Sequence, residues 1–176
     1  GERIKVYVLS VEKTNKFPKI LISRKNEGLL KKLFEIEIPE ITSGIIEIKS
    51  VAREAGSRAK VAVYSAVPNI DTVGACIGQR GARIKNIVDE LNGERIDIVE
   101  WKPVIEEFVS AVLSPAVVSN VTILEDGTAR VLVAPSQLSL AIGKNGQNAR
   151  LAARLTGMRV DIKVIDNETL KEEENE

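Results

Sequence analysis

Apolar and polar residues alternate over residues 4–11 (IKVYVLSV), and a second apolar run covers residues 19–23 (KILIS), with Asn15 and Pro18 as turn signals between them. The pattern predicts a β-hairpin. Two strands alone do not make a stable domain, so the hairpin is expected to be the end of a sheet or barrel that starts upstream. At Glu27 the period changes: Leu29, Leu30, Leu33 and Phe34 recur at helical spacing until Pro39 ends the helix, with Ser43-Gly44 as a loop. Strands are predicted over residues 45–53 and 60–64, joined at Gly56-Ser57. Asp71 or Thr72 caps a short helix reaching Cys76, and Ile84, Ile87, Val88 and Leu91 form an apolar stripe on the next helix. Gly93 stops that helix, and a strand follows over residues 95–99.

The same order then recurs. A helix is predicted over residues 103–112 with Pro103 near its start, then strands over 117–124 and 130–133 turned at Asp126-Gly127. Ser136 is expected to cap a short helix, and a helix over 147–155, Gly157 and a strand over 159–164 complete the copy. Lys60-Val61-Ala62-Val63 corresponds to Arg130-Val131-Leu132-Val133, Lys85 to Arg150, and Arg95-Ile96-Asp97-Ile98 to Arg159-Val160-Asp161-Ile162. The chain is therefore read as α+β, with two copies of one α-β-β-α-α-β unit of about 65 residues.

Between the paired helices of each copy stands one motif: Ile77-Gly78-Gln79-Arg80-Gly81, and again Ile142-Gly143-Lys144-Asn145-Gly146. A helix start leaves backbone N–H groups unpaired and carries partial positive charge, which suits a phosphate, and glycine removes the side chain that would block its approach. Gln79-Arg80 and Lys144-Asn145 add donors, with Arg83, Lys85, Gln147, Asn148 and Arg150 behind them. One such turn could be a plain helix C-cap. Two in corresponding places, each after an isoleucine and before a basic helix, point to a binding site. Neither fits a Walker loop, since Gly143-Lys144-Asn145 lacks the metal-binding hydroxyl, nor a dinucleotide fingerprint, which needs three glycines after a strand.

Net charge is zero, with 25 Lys and Arg against 25 Asp and Glu. The balance is a cancellation: residues 127–163 hold six cations against Asp161, and residues 166–176 hold six anions against Lys171. With no histidine and one cysteine, Cys76, the chain cannot build a Cys/His zinc site, a Ser-His-Asp triad or an internal disulfide. No catalytic residue, metal ligand or cofactor is assigned. Cys76, in an apolar run, reads as a small buried residue. No run approaches the length of a membrane span, no signal peptide is present, and a cytoplasmic, monomeric protein is expected. The missing initiator Met suggests a piece of a longer chain.

A Gly-x-x-Gly loop that clamps about four nucleotides of backbone is the hallmark of the KH module, and the chain resembles a tandem pair of KH domains in the helix-first, type II (prokaryotic) form. The runs 73–84 (VGACIGQRGARI) and 140–152 (LAIGKNGQNARLA), with 47–56 (EIKSVAREAG), resemble the NusA family of bacterial transcription factors. The resemblance implies that residues 1–26 are the last strands of an S1-type OB barrel, 27–101 and 102–166 the KH domains, and 167–176 an acidic tail expected to be disordered. It also implies binding of single-stranded RNA on nascent transcripts, with roles in pausing, termination and antitermination, and RNA polymerase and other Nus-type factors as partners of the full-length protein. The polymerase-binding N-terminal domain of that family is absent from this sequence.

Only six aromatics occur (Tyr7, Phe17, Phe34, Tyr64, Trp101, Phe108), none in a glycine turn, so stacking on a sheet is poorly supplied. The expected grip is a backbone clamp over an aliphatic floor of Val73, Ile77, Leu138 and Ile142, with Arg53, Arg58 and Lys60 extending the RNA track. The different reading is a protein-interaction adaptor that presents the same basic faces to an acidic partner.

Overall fold

The computed structural model describes residues 1–165; the expected acidic tail, 167–176, lies outside the described residues. The chain divides into two compact units, Gly1–Ile98 and Val99–Glu176.

The first unit opens on an antiparallel hairpin, β1 (Tyr7–Glu12) and β2 (Lys19–Ser23), with a register shift between Val8 and Ser10. Strand pairing begins at Tyr7, later than the apolar alternation from Ile4 suggests. Val8, Leu9, Leu21 and Ile22 are all exposed. The hairpin segment is held to its unit at the Tyr7 ring, which lies against Gly28 where a Cβ would collide with it, and at Glu90, to which Arg24 donates through Nη2 to the carbonyl at 2.7 Å and through Nη1 to Oε1 at 3.2 Å, with Lys5 also paired to it.

Asn26 caps α1 (Glu27–Glu37) by accepting from the Gly28 N–H, and Leu29, Leu30, Leu33 and Phe34 face the core. The residue before a proline avoids the helical region; Ile38 is extended, at φ −119°, and ends the helix. Pro39 then starts a further helical turn, α2 (Pro39–Thr42), which the apolar pattern did not signal. Next come β3 (Glu47–Glu54), β4 (Arg58–Tyr64), α3 (Thr72–Ile77), α4 (Ala82–Glu90) and β5 (Arg95–Glu100), in a sheet of order β3-β4-β5. Strand β4 is central, which accounts for its unbroken burial from Ala59 to Val63. Asp71 caps α3 by accepting from the Gly74 N–H at 2.8 Å, as its place in the sequence predicts.

In the second unit, α5 (Ile105–Val112), β6 (Asn120–Ile123), β7 (Thr128–Val133), α6 (Leu138–Ile142), α7 (Gln147–Thr156) and β8 (Arg159–Val164) follow the same order. Strands β6 and β7 are antiparallel, β7 and β8 parallel, with Arg130 opposite Asp161. Phe108, Val109, Leu113, Val131, Leu151 and Leu155 fill the core, and the Trp101 ring packs 6.4 Å from that of Phe108.

Around α5, β6 and α6 the boundaries differ from expectation. Helix α5 is capped at Val104, so Pro103 stands outside it. Val117 is exposed and gives its N–H to Gln137 Oε1 at 2.9 Å, so strand pairing starts only at Asn120. Ser136 caps nothing: Pro135, with its fixed φ, opens a single 3₁₀ turn that carries Ser136, and α6 starts after it without a side-chain cap.

Candidate nucleic-acid interface

Each glycine turn is one tight 3₁₀ turn between two helices, and the two are copies in backbone angle. Gly78 and Gly143 have φ/ψ of 76/173° and 75/170°; Arg80 and Asn145 have 52/27° and 53/29°; Gly81 and Gly146 have 75/15° and 72/15°. Three of four motif positions thus have positive φ, which glycine tolerates without strain and asparagine better than most residues. Arg80 adopts it as a non-glycine, non-asparagine residue.

The two glycines of each motif do different work. A Cβ on Gly78 would come 2.7 Å from Arg83 Cγ, and one on Gly143 would come 2.8 Å from both Cβ and N of Asn148. The first glycine lets the following helix pack against the turn. At Gly81 the nearest atom to a Cβ is Ile84 Cγ2 at 4.0 Å, and at Gly146 it is Arg150 Nη1 at 3.8 Å. The second glycine opens onto space, and a side chain there would project into it.

Gln79, Arg80, Lys144 and Asn145 are all exposed at the turns, and Lys85 and Arg150 are exposed on α4 and α7 behind them. The Gly81 and Gly146 N–H groups are spent on the carbonyls of Gly78 and Gly143 at 3.1 Å. The Ala82 and Gln147 N–H groups go to Gln79 and Lys144. The donors left open at each turn are therefore the exposed side chains of its two middle residues more than the N–H groups at the helix start. Arg150 also donates to the Asn145 carbonyl at 3.1 Å, bracing the second turn. Beside the turns, Val73 and Ile77 on α3 and Leu138 and Ile142 on α6 lie four residues apart, on one helix face; Ile77 is 37% and Ile142 38% exposed. They form a partly open aliphatic strip next to the donors.

Four expected contact residues are corrected. Arg53 is not on a surface track: its side chain is 3% exposed and grips Glu94 in two bonds of 2.7 and 2.9 Å, with a third to the Asn26 carbonyl. Glu94 also accepts from the Gly56 N–H at 2.8 Å, so this pair locks the β3–β4 turn to the start of β5. Arg58 and the wholly buried Lys60 both turn to Asp97, at 2.6 and 3.0 Å. Asn148 is fully buried, and its amide donates to the carbonyls of Leu113, Leu140 and Ala141. A strand residue followed by polar neighbours gives no sequence sign of which face it takes, and these pairings are set by partners about 40 positions away.

Arg83 lies between the two cases. It is 31% exposed and donates through Nη1 to the Ala75 carbonyl at 2.6 Å and to Glu40 Oε2 at 2.9 Å. Glu40 was missed because α2 was missed; the signal was Pro39, an N-terminal helix residue as much as a terminator. Cys76 is buried behind the first turn, where burial pushes its thiol up to about 12, far from a thiolate nucleophile. Among the described residues, no group of acidic or thiol side chains is set to hold a metal, and no helix is long and apolar enough to cross a membrane.

A pair of α-β-β-α-α-β units, the first with the added turn α2, each with a Gly-x-x-Gly turn between the two helices that precede its last strand, defines a tandem KH protein. A NusA-like first KH domain matches residues 24–101 and a NusA-like second KH domain residues 105–170, and the chain belongs to the NusA family. It is 56% identical to the transcription termination/antitermination protein NusA of Bacillus subtilis over 92% of this chain and 44% of that protein. The same-named proteins of Mycobacterium tuberculosis (strain H37Rv) and Thermus thermophilus are 50% and 47% identical, over 93% and 98% of this chain and 48% and 45% of theirs. The chain thus spans less than half the length of these relatives. A solved structure described as "Crystal structure of APE1850" shares the fold, with a TM-score of 0.57 at 22% identity, over 75% of this chain and 94% of its own.

Proposed function

We propose that both turns clamp the sugar–phosphate backbone of single-stranded RNA, with the bases lying on the aliphatic strips of α3 and α6. The observation that carries the reading is the repetition of one positive-φ backbone at two sites, each presenting exposed donors beside exposed isoleucine. The RNA is read as a nascent transcript, and the activity as regulation of elongation, pausing, termination and antitermination in the cytoplasm, without catalysis. RNA polymerase and other Nus-type factors are its partners through the full-length protein, with this chain acting as a monomer.

The test is a titration with short single-stranded RNA at physiological salt, using oligonucleotides drawn from a random pool. Gly81→Asp and Gly146→Asp each place a carboxylate in the open space where phosphate is read to lie, so each should weaken binding and the double variant abolish it, with circular dichroism unchanged. Unaltered affinity in both single variants and the double would rule out the clamp, and would favour the adaptor reading if an acidic peptide bound instead.

A further inference from the structure

The two turns share a backbone and differ in what pins them. Five positions after the first glycine, Asn148 in the second unit is neutral, fully buried and bonded to three carbonyls. In the first unit the same position is Arg83, a cation still 31% exposed, whose two bonds both leave from Nη1. Nε and Nη2 take no part in those bonds, so the guanidinium keeps donors for a further partner. Its carboxylate partner, Glu40, is also 31% exposed. Glu40 rides on α2, a helical turn with no counterpart among the described elements of the second unit, where the corresponding bond goes to the backbone carbonyl of Leu113. A carboxylate has thus been set against the cation whose planar fork is best suited to phosphate.

We propose that Glu40 competes with RNA phosphate for Arg83 and so sets the strength of the first turn's grip. In the free protein the Arg83 charge is largely answered by Glu40; in the complex the guanidinium turns toward phosphate while Nη1 keeps the Ala75 carbonyl. Part of the attraction is offset by loosening the Glu40 pair. The second turn has no acidic partner in the corresponding bond, so its grip is fixed while the first is adjustable.

The inference rests on the reading of the turns as RNA clamps, and the experiment separates the two. Short single-stranded RNA is titrated at several salt concentrations against the wild-type chain, Glu40→Gln, Arg83→Gln, the Glu40→Gln/Arg83→Gln double variant and Gly81→Asp. Removing the charge of Glu40 should tighten binding by about two- to fivefold, the range of a part-exposed ion pair. It should also steepen the dependence of log K on log salt by about 0.7, because Arg83 then enters the complex shedding a counterion of its own. Both gains should vanish in the Arg83→Gln background, and Glu40→Ala should repeat their sign. If Glu40 merely braces α2, Glu40→Gln and Glu40→Ala lower the melting temperature and leave affinity and salt slope unchanged, which overturns the proposal. If Gly81→Asp binds RNA like the wild type, the first-turn clamp itself is wrong. If Gly81→Asp weakens binding and Glu40→Gln does not strengthen it, only the present proposal falls.

Discussion

The side-chain amide of Asn148 donates to the carbonyl of Leu113 at 2.9 Å, across 35 positions of chain, and fastens the helix after the second glycine turn to the end of α5. The same amide reaches Ala141 at 3.1 Å and Leu140 at 3.3 Å. Asn148→Ala removes all three bonds and leaves buried carbonyls without their donor. It should cost about 1–3 kcal/mol of unfolding free energy, read from urea denaturation. Asn148→Asp should cost more, since its charge would face three carbonyl oxygens in the interior.

The Arg53–Glu94 pair makes the opposite claim about a residue first expected at the RNA surface. With side chains 3% and 1% exposed, breaking the pair by Arg53→Ala or Glu94→Ala strands a buried charge and should destabilise by about 3–5 kcal/mol. The Arg53→Met/Glu94→Leu double variant should recover much of that loss. RNA affinity per folded molecule should be unchanged in the double variant; a loss in proportion to a phosphate contact would return Arg53 to the RNA track.

Lys85 and Arg150 are exposed at equivalent places behind the two turns. If each meets one phosphate, Lys85→Ala or Arg150→Ala should flatten the dependence of log K on log salt by about 0.7, and the pair by about twice that. Arg150→Ala should have the larger effect on affinity, because that side chain also braces the Asn145 carbonyl. Equal slopes for wild type and variants would place both cations away from the strand.

Lys60 gives a pH prediction. Burial pushes its ammonium below the ordinary lysine value of 10.5, against the pull of Asp97. The unfolded chain then holds more protons than the folded one in the window just below 10.5, so the lysine's penalty is full at neutral pH and eases as pH rises through that window. Lys60→Met, which leaves Arg58 to answer Asp97, should raise the urea midpoint most near neutrality. The difference from wild type should shrink as pH approaches 10.5. A difference that grows with pH would contradict this sign.

Much of this protein is determined along the chain itself. The apolar periods of α1 and α4, the caps Asn26 and Asp71, and the glycines of the turns act between residues a few positions apart, and local sterics and hydrogen bonding need no tertiary partner to specify them. The repeat could be read for the same reason: two copies of one local pattern must solve one folding problem in one way. The small helix α2 escaped because proline both ends a helix and begins one, and only Ile38, held extended in the core, decides which. Which cations and amides face solvent was decided by the tertiary structure alone. Arg53, Arg58, Arg83 and Asn148 look alike beside Arg80 and Lys144 in a string of letters. They part company because a charge or amide removed from water must find its partner, and Glu94, Asp97, Glu40 and Leu113 arrive beside them only when distant segments pack.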